Sequence, residues 1–154
     1  MVFRYAEKTD IAQLVQLRVA YLKADWGELS PEQVAAVEKQ VPGYLEQHLG
    51  KDFYGYVADD DGTLVGTVLM LDVEKPSSPA ALCGHTGTLM NVYVNPAYRG
   101  QNIGGTLVRM ALDHAKQLGM CHVDLQATAQ GKKLYEYVGF ERQESHYTPM
   151  IYHL

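Results

Sequence analysis

Met90-Asn91-Val92-Tyr93-Val94-Asn95-Pro96-Ala97-Tyr98-Arg99-Gly100-Gln101-Asn102-Ile103-Gly104-Gly105-Thr106 is the stretch whose reading decides the fold. Val92, Tyr93 and Val94 carry β-branched and aromatic strand preference, and Asn95-Pro96 breaks the strand. From Ile103 the apolar period changes, with Ile103, Leu107, Met110, Ala111 and His114 recurring at helical spacing on one face. Between strand and helix lie Gly100, Asn102, Gly104 and Gly105. Gly, and next to it Asn, tolerates positive φ and lets a ligand approach the backbone closely. The first turn of a helix has amide N–H groups with no helical partner. With Arg99 beside them, they suit an anion, most naturally a phosphate.

Other phosphate loops do not fit these residues. A P-loop requires Lys and then Ser or Thr after its last Gly, whereas Gly105-Thr106-Leu107 has no Lys. The dinucleotide fingerprint requires Gly at its first, third and sixth places, and Gly100-Gln101-Asn102 lacks the third. What remains is Arg-x-x-Asn-x-Gly over residues 99–104, against the bland alternative of an ordinary Gly-rich turn.

Composition narrows the class. A chain of 154 residues, 47% hydrophobic and without low-complexity runs, is expected to form a single domain over 1–154 with one core. Its apolar runs fall far short of the ~20 residues of a membrane span, and residues 1–5 lack a signal-peptide core. Two cysteines, Cys83 and Cys121, do not make a disulfide framework and lack metal-ligand company. Cytoplasm is the default expectation. A net charge of −5 argues against nucleic acid. Local charge still permits an anionic ligand, because Arg99, Lys132 and Lys133 can gather near phosphates.

Along the chain, residues 2–6 read as a first strand. Thr9 or Asp10 caps a helix with the stripe Ile11, Leu14, Val15, Val19 and Leu22, which ends at Asp25-Trp26-Gly27-Glu28. Ser30, Pro31 and Gln33 open a second helix that Pro42-Gly43 is expected to kink or interrupt and Gly50 to stop. Residues 53–58 and 63–71 read as strands joined by Asp59-Asp60-Asp61-Gly62. That acidic triplet lacks the spacing and distal Glu of an EF-hand, so it reads as a solvated turn, and no metal is expected. Residues 74–84 form the longest loop, either a lid or a connector. A fifth strand over 121–126, a short helix over 128–138 and two antiparallel strands over 140–154 complete the order.

Two motifs together resemble the GCN5-related N-acetyltransferase (GNAT) superfamily. Residues 99–104 are similar to its acyl-CoA pyrophosphate loop, Arg/Gln-x-x-Gly-x-Gly/Ala, with Asn102 where Gly is usual. Ala127-Thr128-Ala129-Gln130-Gly131-Lys132-Lys133-Leu134-Tyr135-Glu136-Tyr137-Val138-Gly139-Phe140 resembles its C-terminal signature, a short helix bearing Leu-Tyr-Glu and ending in Gly-Phe. Thr128 stands where Asn often precedes that helix. With Thr9-Asp10 and Met150-Ile151-Tyr152-His153-Leu154, the resemblance spans essentially the whole chain.

The resemblance implies an α/β, three-layer acyl-CoA N-acyltransferase fold. It has a mixed, mostly antiparallel sheet of about seven strands, about four flanking helices, and a splay between strands 4 and 5. It implies an acetyl-CoA-dependent N-acetyltransferase acting on a primary amine of a small molecule or peptide. The coenzyme would lie along Val92, Tyr93 and Val94, on Arg99, Gly100, Gln101, Asn102, Ile103, Gly104, Gly105 and Thr106, and against Thr128, Gly131, Lys132 and Tyr135. The backbone N–H of Val92 would polarise the thioester carbonyl, and Tyr135 would protonate or hydrogen-bond the departing thiolate. A packed aromatic is the bland reading of Tyr135. A primary amine of pKa ~10 is unprotonated about one part in a thousand at pH 7, a penalty of roughly 4 kcal/mol, so a base or water relay is needed. The position of the Glu that some relatives use is Thr88 here; Asn91 on that strand can hold a water. His85, Glu74, Asp25, Glu28 and His146 are the other candidates. Tyr21, Asp25, Trp26, Glu28 and His85 are the acceptor-binding candidates, the acidic pair attracting a cation and the aromatics stacking on it. A homodimer is compatible with the family. The alternatives left open are a non-catalytic acyl-CoA-binding or sensor module and an unrelated nucleotide-phosphate binder.

Overall fold

A computed structural model describes residues 1–154. The elements are β1 (Val2–Tyr5), α1 (Ile11–Trp26), α2 (Pro31–His48), β2 (Phe53–Asp60), β3 (Thr63–Glu74), β4 (His85–Val94), α3 (Ile103–Gln117), β5 (His122–Asp124) and α4 (Lys132–Val138). One sheet carries them in the order β1-β2-β3-β4-β5, antiparallel through β4 and parallel between β4 and β5.

Alternation along the strands divides the core into two layers. Tyr56, Ala58, Val68, Met70 and Leu89 pack against Ile103, Leu107, Val108 and Ala111 of α3. Phe53, Val57, Leu64 and Leu69 face the other way, against Leu14 and Leu17 of α1 and Leu45 of α2. The apolar face read for α3 from the sequence is the buried one. The capping box of α2 also forms as read: Ser30 Oγ accepts from the Gln33 amide, and Gln33 Oε1 accepts from the Ser30 amide. The β2–β3 turn is tighter than expected, with only Asp61 (φ 53°) and Gly62 (φ 87°) between the strands.

Five expectations are corrected. Helix α2 runs through Pro42 without a break. Pro42 forfeits one helical hydrogen bond, and the packing of Val41, Tyr44 and Leu45 into the lower core layer outweighs that loss. The sheet has five strands, fewer than the family pattern implies, because residues 140–154 form no strand. Strand β5 is shorter than residues 121–126, and α4 begins four residues later than expected, at Lys132. Cys83 and Cys121 are bonded to each other, with Cα atoms 6.0 Å apart. The register puts them together: the Cys121 amide donates to the His85 carbonyl where β5 begins, two residues beyond Cys83. The bond ties the loop after β3 to the entry of β5. It also bears on compartment, since disulfides persist where conditions are oxidising. No helix is long and apolar enough to cross a membrane.

A disulfide closing a loop of this separation, 38 residues, is worth up to about 4 kcal/mol through the unfolded chain. Denaturant unfolding with and without reductant should show a loss of that order, absent from Cys121→Ser. Thiol titration of the native oxidised protein should find no free thiol; two reactive thiols would contradict the pairing.

Candidate functional site

Strand β4 holds the site because its pairing changes twice. Toward β3 the register jumps, with Met90 opposite Leu69 and Tyr93 opposite Thr67, so Asn91 and Val92 share one place opposite Val68. This is a β-bulge, and Asn91 takes the left-handed conformation at φ 54°. The extra residue shifts the alternation of the strand. Leu89, Val92 and Val94 face the α3 layer, whereas Met90 and Tyr93 face α1 and α2. Toward β5 the pairing ends at Thr88, opposite Asp124. From Leu89 onward that edge of β4 has no strand beside it. The expected splay is present, and the bulge lies within it.

Beyond the splay the chain turns into α3 with its amides bare. Gly100 (φ 82°) and Asn102 (φ 56°) supply the left-handed positions. The Asn102 side chain makes no cap hydrogen bond. The Thr106 amide makes the first helical bond, to the Asn102 carbonyl, so Ile103, Gly104 and Gly105 present amides with no helical partner. A Cβ on Gly104 would stand 3.3 Å from Leu134 of α4, which is how closely α4 approaches this turn. Arg99 Nε donates to the Val94 carbonyl at 3.1 Å, fixing the start of its side chain over the strand end.

These parts enclose a cleft of about 570 Å3. Of the residues singled out from sequence, Val92, Tyr93, Val94, Arg99, Gly100, Asn102, Ile103, Gly104, Gly105, Thr128, Gly131 and Tyr135 line it, together with Tyr21 and Asp25 of α1. Asn91, Gln101 and Thr106 do not, and the Thr106 hydroxyl donates back to the Asn102 carbonyl at 2.9 Å. Lys132 lines a different cleft and pairs with Glu136 at 3.6 Å, and Lys133 is exposed, so the basic cluster reduces to Arg99. Trp26, 76% exposed, and Glu28 lie outside. His85 is engaged elsewhere, its Nε2 2.6 Å from Asp72 Oδ1. Gln126, Tyr98 and Leu134 line the cleft without having been singled out.

Burial and neighbouring charge set the electrostatics in and around it. Burial, reinforced by the nearby Tyr21 phenol, pushes the Tyr135 hydroxyl up to about 12. Tyr135 therefore stays a neutral donor at physiological pH. The Tyr21 hydroxyl donates to Asp25 Oδ2 at 3.4 Å, and burial, followed by that carboxylate, raises its pKa. Asn91 is fully buried; its Oδ1 accepts from Arg18 of α1 at 3.3 Å, while its Nδ2 has no protein partner. Thr128 Oγ1 accepts from the Gly131 amide at 3.2 Å and so shapes the turn into α4. Asp124, also missed from sequence, lines the neighbouring cleft and not this one. Its carboxylate accepts from the Thr88 hydroxyl at 2.7 Å, at the last paired position before the strands part. Only cross-strand register reveals it. No group of three or more His, Cys, Asp or Glu side chains is placed to hold a metal ion.

A sheet that splays beside a bulge and leads into a bare-amide helix start makes a cleft suited to an anionic ligand at an open strand edge. The comparisons then name the family. Residues 12–140 match the family model described as Acetyltransferase (GNAT) family, and the chain belongs to that family. In sequence it is 31% identical over 61 residues to the glucosamine 6-phosphate N-acetyltransferase of Arabidopsis thaliana. That match spans 40% of this chain and 41% of the relative. In structure it resembles a predicted acetyltransferase with acetyl-CoA from Clostridium acetobutylicum, with TM-score 0.85 and 21% identity, over 97% of this chain and 95% of the other. It also resembles a GCN5-related N-acetyltransferase from Ralstonia eutropha JMP134, with TM-score 0.83 and 22% identity, over 97% of each chain.

Asn102 should be replaceable by Gly and not by a β-branched residue. Asn102→Val forces a branched side chain into the left-handed region and should cost about 1–2 kcal/mol in denaturant unfolding, whereas Asn102→Gly should stay within about 0.5 kcal/mol of wild type.

Proposed function

We propose that the protein is an acetyl-CoA-dependent N-acetyltransferase whose acceptor is a cationic primary amine. The observation that carries this reading is the bulge at Asn91 inside the splayed part of β4, which aims backbone at the cleft. The residues fit the coenzyme. The amides of Ile103, Gly104 and Gly105 receive its diphosphate, Arg99 adds charge there, and the free edge of Val92–Val94 receives the pantetheine as an added strand would be received. Bound acetyl-CoA supplies an activated acetyl group as a thioester.

The protein's residues do the rest. The Val92 N–H donates to the thioester carbonyl oxygen and stabilises charge building there; the buried Asn91 side chain, bonded to Arg18, holds the bulge that precedes it. Tyr135 Oη donates its proton to the departing sulfur; a phenol held neutral by burial is suited to that task. Asp25 draws the cationic amine in and Tyr21 offers a ring face. Asp124, held by Thr88 beside the splay and lining the neighbouring cleft, accepts the amine proton through water, supplying from β5 the carboxylate that β4 lacks at Thr88. The net reaction is amine and thioester to amide and thiol. Trp26, Glu28, His85 and Lys132 take no part in this account.

Thermal-shift measurements should show stabilisation by CoA and acetyl-CoA and none by ATP or NAD. Gly104→Glu should abolish it, because a carboxylate placed at the diphosphate repels it and blocks the turn; retained micromolar CoA affinity would contradict the site. In thiol-release assays over a panel of amines, Tyr135→Phe should lower kcat about a hundredfold with little change in the KM for acetyl-CoA. Asp124→Asn, which keeps a partner for Thr88, should lower kcat at neutral pH and recover as the pH approaches the amine pKa. Since the Tyr135 pKa is raised, to about 12, its protonated form persists through the alkaline range. No rate loss from its ionisation should appear near pH 10; a decline there that vanishes in Tyr135→Phe would show the phenol ionising at its ordinary value and contradict the raised pKa.

A further inference from the structure

Beside the α1 wall of the cleft stands an arginine whose charge no carboxylate offsets. Two arginines are half-buried, Arg4 and Arg18. Arg4 is clamped by Asp10 at 2.8 Å and Asp59 at 2.9 Å. Arg18 forms no ion pair. Its single hydrogen bond runs from Nη1 to Asn91 Oδ1 at 3.3 Å, and its guanidinium carbon stands 5.9 Å from the centre of the Tyr21 ring. A half-buried guanidinium without counter-charge is costly, and its remaining donors, set in a planar fork, suit a carboxylate or a phosphate. Its neighbour repeats the imbalance. A guanidinium only donates, so Asn91 turns its oxygen to Arg18, and the fully buried Asn91 Nδ2 is left without a partner. Donors are in surplus here, and one anionic acceptor would balance them.

Position ties that anion to the acceptor. Arg18, Tyr21 and Asp25 recur at spacings of three and four along α1 and so share one helix face. Tyr21 and Asp25 line the cleft, and Arg18 lies one turn back from Tyr21, against the bulge that precedes Val92. A cation and a carboxylate thus flank one phenol along a single stripe. We propose that the acceptor carries both charges: an amine that also bears a carboxylate or a phosphate, with the anion held by Arg18 and the ammonium drawn by Asp25. This rests on the acetyl-transfer reading above and narrows its substrate class. Asn91 anchors one edge of the guanidinium, so the fork is oriented before the acceptor arrives. A plain alkylamine leaves Arg18 unpaired and forgoes the contact. Selectivity then comes from a group that the reaction itself never touches.

Matched amines test this by thiol release from acetyl-CoA on the full chain. Phenylalanine is set against phenethylamine, lysine against cadaverine, and O-phosphoethanolamine against ethanolamine, so each pair differs by one anionic group. In the carboxylate or the phosphate pairs, the anionic member should lead by about a hundredfold in kcat/KM, and the pair that responds tells the two anions apart. Arg18→Gln should bring that ratio to within about threefold of unity, mainly through KM, and Arg18→Lys, which keeps the charge without the fork, should fall between. If Arg18 only props the bulge, Arg18→Gln slows both members alike and leaves the ratio unchanged, which overturns the proposal. Equal rates within every wild-type pair overturn it too. Calorimetric titration of the same compounds into the CoA complex separates the two claims. Anionic amines that bind through Arg18 without thiol release would support the recognition and contradict acetyl transfer. Absence of both binding and preference would overturn the recognition.

Discussion

Strand β4 is paired with β3 along its length and with β5 only up to Thr88, and the rest of the molecule depends on that asymmetry. A buried strand with one empty edge has to place its unpaired backbone somewhere. Here the empty edge faces a cleft, and a bulge at Asn91 turns the backbone further toward it. The bulge is held from below by Arg18 of α1 through the Asn91 amide oxygen. Left-handed Asn is affordable at such a point, whereas a branched residue would not be. The same extra residue brings Val92 into the α3 layer, so strand and helix start are locked together by packing.

The proposed anion site follows from how α3 begins. Most helices cover their first amides with a capping side chain, as α2 does with Ser30 and Gln33. Helix α3 leaves its cap position to a left-handed Asn102 whose side chain bonds no amide. Gly104 and Gly105 keep Cβ atoms away from the amides, and α4 closes over the same turn through Leu134. The overall charge of −5 is therefore no obstacle, because fixed amide dipoles and one arginine act at contact distance while distant carboxylates are screened.

What could be read from the sequence was local. Gly100, Asn102, the Ser30 capping box and the Asp61-Gly62 turn each act through their own backbone, so residue type alone announces them. The α3 face was legible because burial repeats with the helical period. What escaped depends on partners distant in sequence. Asp124 becomes interesting only when register sets it on Thr88, and Cys83 meets Cys121 only because β5 starts beside the end of the long loop. Lys132, a candidate for the phosphates from its charge and its place in the C-terminal motif, pairs with Glu136 one helical turn on. Pro42 looked like a break because propensity argues from the isolated helix, and packing of the helix decided otherwise. Residues 140–154 read as two strands from the sequence and form none, their backbone making no ladder bond to the sheet.

The most direct test of this account is a crystal structure of the protein with acetyl-CoA. The account predicts diphosphate oxygens within hydrogen-bond distance of the Ile103, Gly104 and Gly105 amides. It also predicts pantetheine alongside Val92 and Val94 and the thioester oxygen at the Val92 N–H. Coenzyme bound away from the splayed strands, with that helix start empty, would contradict it.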